Sequence, residues 1–211
     1  MYKIFFAALR LAIAVGLIVA VAWQVLDRIS FSVFRPTEYF AYFSIVSALL
    51  AALITLVAAW VLINGEQETK LLHISRLSVT AAMIVVGVVY HALLADVASD
   101  VRDGDYAWPV LPNEIIHTYA PIAIAVDYLA SVKSRILRIR AALWVAVFPL
   151  VWLVFSIIRG LATNWWPYWF INPNGEGGVM TVITYVAVIT VFFLFLGYLL
   201  QTIRASIAKL R

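Results

Sequence analysis

The chain has no cysteine. That absence removes disulfides, thiolate nucleophiles and cysteine-held metals together. Charge is scarce as well: Asp, Glu, Lys and Arg make up 12% of the 211 residues, against 65% hydrophobic. A soluble domain of this size must face water over its whole exterior and cannot be built from such a composition. Lysine is missing from every long apolar run, because Lys3, Lys70, Lys133 and Lys209 are all peripheral. A lysine-bound retinal is therefore excluded. No serine sits in a Gly-x-Ser-x-Gly setting, so neither a nucleophile elbow nor a rhomboid-like protease is indicated. No internal repeat marks a transporter of two halves.

Apolar runs fill what remains. A bilayer-spanning helix needs about 20 such residues, and six fit, at residues 4–26, 39–63, 76–96, 113–132, 141–159 and 179–201. The expected fold is all-α: a polytopic membrane protein with six transmembrane helices in a single domain over residues 1–211, with no soluble module. Ala20-Val21-Ala22 resembles a signal-peptidase site, but the apolar run continues through Trp23 to Leu26, which favours a retained helix. Asn64-Gly65 ends the second run as helices commonly end. Asn113 and Glu114 suit the start of the fourth.

The net charge of +4 is concentrated in a few loops, which argues for topology rather than a nucleic-acid partner. All of the 15 lysines and arginines except Arg28, Arg35, Arg102 and Arg159 fall on one side of the six spans. The positive-inside rule then places both termini in the cytoplasm. Arg10 is expected to snorkel toward that side. The loop holding Trp165, Trp166, Tyr168 and Trp169 falls at the outer interface, where amphipathic rings are favoured.

Three polar groups share a depth. Ser44, His91 and His117 each lie roughly 6–8 Å below the outer boundary at the rise of an α-helix. Ser44 belongs to a small-residue stripe with Ala41, Ala48, Ala51, Ala52 and Thr55, which serves close helix packing. As a nucleophile it would need a base to take its proton. His117 is harder to read as packing, since an ionisable group within a span is costly. Pro121, four residues on, leaves the His117 carbonyl without its helical donor, which suits the mouth of a polar pocket. His91 could orient that pocket, bind substrate, or pair with Tyr90 or Asp96. With His117 it could also ligate a b-type haem. Tyr90, His91 and Tyr119 are candidate oxyanion or orienting donors, and Tyr168 is a further substrate-pocket candidate, in a Trp-rich loop expected to form a lid. Asp127 is expected to be a structural intramembrane acid within a polar network. No metal-ligand cluster is visible, and no cofactor is expected.

Three stretches carry a family resemblance: Tyr39-Phe40-Ala41-Tyr42-Phe43-Ser44-Ile45-Val46-Ser47, His117-Thr118-Tyr119-Ala120-Pro121, and Pro167-Tyr168-Trp169-Phe170-Ile171-Asn172-Pro173. In order, they resemble the androgen-induced membrane proteins and their bacterial six-pass relatives. Characterised animal members are multi-pass threonine hydrolases of fatty acid esters of hydroxy fatty acids, acting through an intramembrane Thr and His. The resemblance puts Ser44 in the place of the family threonine and His117 in that of its histidine. It puts Tyr168-Trp169-Phe170 at the Tyr-Pro-Phe-like motif, with Trp169 where the proline stands. It implies a plasma-membrane esterase whose partners are membrane lipids and a lipid-ester substrate. The alternative, from a different class, is a non-enzymatic membrane protein that binds or transports lipids or small molecules.

Overall fold

The computed structural model describes residues 2–97, 100–131 and 139–209. Eight α-helices are found there, and no strand: α1 Tyr2–Ser30, α2 Pro36–Tyr39, α3 Phe43–Ile63, α4 Lys70–Val89, α5 Val110–Glu114, α6 Ala120–Ala130, α7 Val147–Thr163 and α8 Gly178–Lys209. Five helical stretches are long and apolar enough to cross a membrane: Tyr2–Ser30, Phe43–Ile63, Lys70–Leu94, Ala142–Thr163 and Gly178–Ala208. Lys133, Arg135 and Arg138, on which the expected orientation partly depends, lie outside the described residues. So do Val132, the expected end of the fourth span, and Arg211.

Helix packing follows the small residues. Ala14, Leu17 and Ala20 of α1 and Ala48, Ala51 and Ala52 of α3 are all buried in one core. Short side chains let those backbones approach closely, which membrane helices need in place of a hydrophobic drive. α1 packs against α3 and α6, α3 against α4, and α4 against α6 and α8.

Three segments depart from the expected spans. The fourth, expected over 113–132, is built from three short helical pieces, α5, a turn at Ile115–Tyr119 and α6, and is not among the five long stretches. The second begins later, since the chain turns through α2 and then unwinds at Phe40–Tyr42 before α3 starts at Phe43. Trp152 holds this break open, its Nε1 donating to the Ala41 carbonyl at 2.9 Å. The third begins earlier, at Lys70, because the Thr69 hydroxyl caps it by accepting from the Leu72 N–H at 3.1 Å.

Opposite ends of the bundle carry separate charge networks. At the end holding the Gly65–Thr69 connection, Asp127 accepts from Arg10 Nε at 3.0 Å and from Arg76 Nη2 at 2.7 Å. Arg10 also reaches the Ala58 carbonyl at 2.8 Å. It is 2% exposed, so it does not snorkel: a buried carboxylate and a helix carbonyl replace the water it would otherwise seek. Glu68 bonds Arg76 and sits 3.4 Å from His73 Nδ1, while His73 Nε2 lies 3.3 Å from the Tyr128 hydroxyl. Three guanidiniums thus face two carboxylates. The third, Arg204 of α8, bonds the carbonyls of Tyr128 and Ser131 where α6 ends, and there the helix macrodipole supplies partial negative charge.

At the other end Arg28 bonds Asp103 at 2.9 Å and lies over the rings of Tyr106 and Trp108. Arg102 bonds both Asp100 and Glu38, fastening the connection after α4 to α2. The hydrogen bond from Arg102 holds the Asp100 carboxyl down to about 2. A carboxylate depressed on folding adds stability above its unfolded value, near 3.9, and loses it as pH falls toward the folded one. Acidification from pH 5 toward pH 2 should therefore weaken the Asp100–Arg102 pairing. It also protonates Glu38, which burial pushes up but Arg102 and Arg35 hold below the usual carboxylate range, and so should loosen residues 100–103 from α2. Amide exchange in that segment that speeds up relative to its pH-dependent intrinsic rate would check this, and an unchanged ratio would contradict it.

Candidate active site

The two helical segments that carry His91 and His117 each widen into a π-turn. On α4 it spans Tyr90–Leu94, and between α5 and α6 it spans Ile115–Tyr119. In the second, the Ala120 N–H reaches back to the Ile115 carbonyl. The wider turn accommodates Pro121, which has no N–H to offer His117. Single π-turns inside α-helices are often found at functional sites.

The α3 helix packs against the Ile115–Tyr119 turn, and an apolar cavity of about 90 Å³ results. Ser44 from α3 and His117 from the π-turn both line it, together with Tyr90 and Tyr168. Its walls are apolar side chains such as Phe43, Val86, Leu153 and Phe193. Aromatic contacts seat the cover: Tyr168 stacks on Phe170 at 5.2 Å, and Trp165 meets Tyr42 edge-on at 5.6 Å.

Ser44 lies in the first turn of α3, where backbone N–H groups have no helical acceptor. Its own N–H donates to the Tyr168 hydroxyl at 3.3 Å. Burial pushes the Tyr168 phenol up to about 12, so it stays protonated and acts as a donor or acceptor rather than a base. A serine in this position also benefits from the positive end of the helix dipole when its oxygen carries negative charge.

His117 is held from two directions. Its Nδ1 lies 2.9 Å from the Asn113 carbonyl, and its ring stacks on Tyr90 at 4.1 Å between centroids. A carbonyl only accepts, so Nδ1 carries the proton. In the neutral ring Nε2 is then the basic nitrogen. Asn113 also donates from its amide to the Tyr90 hydroxyl at 2.6 Å. Among the described residues no direct hydrogen bond joins the Ser44 side chain to His117.

The remaining candidates lie elsewhere. His91 is exposed, and its Nε2 bonds Thr118 at 2.8 Å; Thr118 donates in turn to Glu114 at 2.6 Å. Thus one of the two histidines a bis-imidazole haem would need is engaged by a hydroxyl. His91 borders an outer groove of about 700 Å³ between α4 and α6, as does His117. Tyr119 is 58% exposed and does not line the Ser44 cavity. Asp127 belongs to the distant ion network. Among the described residues no group of three or more His, Asp or Glu is placed to hold a metal.

Sequence reasoning gave Asn113 only a capping role, and it passed over Gly87. A Cβ on Gly87 would stand 2.9 Å from the His117 carbonyl oxygen, so α4 can approach this π-turn only where a side chain is missing. We expect Gly87→Val to displace His117, costing about 1–3 kcal/mol by overpacking and lowering any activity that depends on the ring. Thermal unfolding in detergent measures the first, and an unshifted midpoint would show that the seam tolerates a side chain.

No family model, curated protein or solved structure matches the chain.

Proposed function

We propose that this protein is a lipid-ester hydrolase working within the membrane, with Ser44 as nucleophile and His117 as general base. The single observation that supports it most is the placement of Ser44 and His117 on one apolar cavity, with His117 Nδ1 tied to a carbonyl and Nε2 left basic. The reading treats residues 110–130 as a sixth span, puts both termini in the cytoplasm and locates the protein in a bacterial plasma membrane. It agrees with the resemblance to the androgen-induced membrane proteins, with serine in place of threonine.

In the proposed reaction the Ser44 oxygen bonds to the ester carbonyl carbon as its proton passes to His117 Nε2. The carbonyl electron pair moves to oxygen. The tetrahedral species collapses, the C–O bond to the alcohol breaks, and His117 returns the proton to the leaving oxygen. Water then attacks the acyl-serine by the same route, releasing the fatty acid. Ser44 and His117 need no direct bond beforehand, since catalytic hydrogen bonds often tighten only around substrate. The apolar walls suit the acyl chain, and the Tyr168 loop covers it.

A serine-reactive fluorophosphonate tests this. Labelling of the wild type that is lost in both Ser44→Ala and His117→Ala supports the hydrolase. A wild type that neither labels nor hydrolyses a long-chain nitrophenyl ester would turn the cavity into a lipid- or small-molecule-binding site.

A further inference from the structure

Tyr90 has an unusual hydrogen-bonding position. Its hydroxyl oxygen accepts from the Asn113 amide at 2.6 Å. A phenol also carries one proton to donate, and among the described residues nothing accepts it. Tyr90 lines the cavity shared by Ser44 and His117, and its ring lies against His117. An amide N–H can only donate, so Asn113 occupies the acceptor side of the phenol and leaves the proton to another partner.

We infer that Asn113 is a positioning residue for this cavity. Its side chain turns the Tyr90 hydroxyl so that the proton is offered to a substrate oxyanion, while its backbone carbonyl fixes the tautomer of His117. One residue thereby sets the direction of two hydrogen bonds, one from the base and one from the oxyanion donor. This inference rests on the hydrolase reading for its chemistry, though the hydrogen-bond direction stands apart from it. No proton leaves Tyr90 in the step. As Ser44 adds to the carbonyl, the displaced electron pair settles on the carbonyl oxygen, which the Tyr90 O–H then meets.

Asn113→Asp provides the test. The carboxylate is nearly the same shape but only accepts, so Tyr90 should reverse and donate to it, withdrawing its proton from the cavity. The backbone carbonyl that holds His117 is unchanged. Three variants of the full-length protein would be compared in detergent: Asn113→Asp, Tyr90→Phe and the double variant. Removing one oxyanion donor commonly costs about 10²–10³ in kcat. We expect Asn113→Asp and Tyr90→Phe each to slow hydrolysis of a long-chain nitrophenyl ester ~100-fold in kcat with little change in KM, in keeping with that range. The double variant should be no slower than either single one, as residues acting through one bond are non-additive.

A second readout needs no activity. The Tyr90 C–O stretch, isolated by infrared difference against Tyr90→Phe, distinguishes a phenol that accepts from one that donates. It should change character in Asn113→Asp. Additive losses, a wild-type rate in Asn113→Asp, or an unchanged stretch would each overturn the inference. If the wild type hydrolyses nothing, the hydrolase reading fails and the infrared band alone decides the orientation of Tyr90.

Discussion

Ser44→Ala and His117→Ala are each expected to lower ester hydrolysis by about 10⁴-fold or more, and the double variant should be no worse than the weaker single one. The magnitude follows from how nucleophile and base act together: without the base the hydroxyl is a poor nucleophile, and without the hydroxyl the base has no proton to take. Strong non-additivity separates this from two unrelated packing defects, which would multiply their effects. Stability should distinguish them further. Ser44 is half-buried at the start of α3, and removing its side chain leaves the backbone N–H that meets Tyr168 in place. Ser44→Ala should therefore unfold within about 0.5 kcal/mol of the wild type. Activity retained in Ser44→Ala, or an equal and additive loss of stability in both variants, would remove the pair as the reacting groups.

Depth along a helix is legible in the sequence, and direction around it is legible in part. Ser44, His91 and His117 were placed together by helical rise alone. Successive residues also turn by about 100°, so Tyr90 and His91 point to different sides of their helix. Tyr90 faces inward and His91 meets Thr118 on the outer groove. The same turn carries Tyr119, two residues beyond His117, to an exposed face.

Other features could not have come from spacing. The unwinding at Phe40–Tyr42 depends on Trp152, more than 100 residues away, bonding the Ala41 carbonyl. The Pro121 ring signalled a disturbed helix, but whether it would kink or widen into a π-turn is a packing outcome. Gly87 reads as an ordinary break in a helix pattern until the His117 carbonyl is seen against it. The apolar runs were readable because membrane helices need a fixed length of hydrocarbon contact. The site was only partly readable because its lining comes together from α3, α4, α7, α8, two π-turns and the Tyr168 loop.

Asp127 shows the same division, and its removal should have the largest effect on stability. A lone acid in an apolar run signals a partner without naming it. The partners are Arg10 and Arg76, both buried, from two other helices. Among the described residues, Asp127→Leu would leave those guanidiniums facing one another with Glu68 as the one carboxylate to share, since Glu68 lies 3.5 Å from Arg10 and also bonds Arg76. Breaking a buried pair in this way costs about 3–5 kcal/mol, because an unpaired charge remains inside. Arg10→Met should cost less: Asp127 would keep Arg76, and the flexible thioether would fill the vacated space. The order of the two variants is thus a sharper test than either value. Thermal unfolding in detergent, followed by tryptophan fluorescence, would give that order. Asp127→Leu milder than Arg10→Met would mean that water reaches the carboxylate, and that α1, α4 and α6 are held together by their apolar contacts alone.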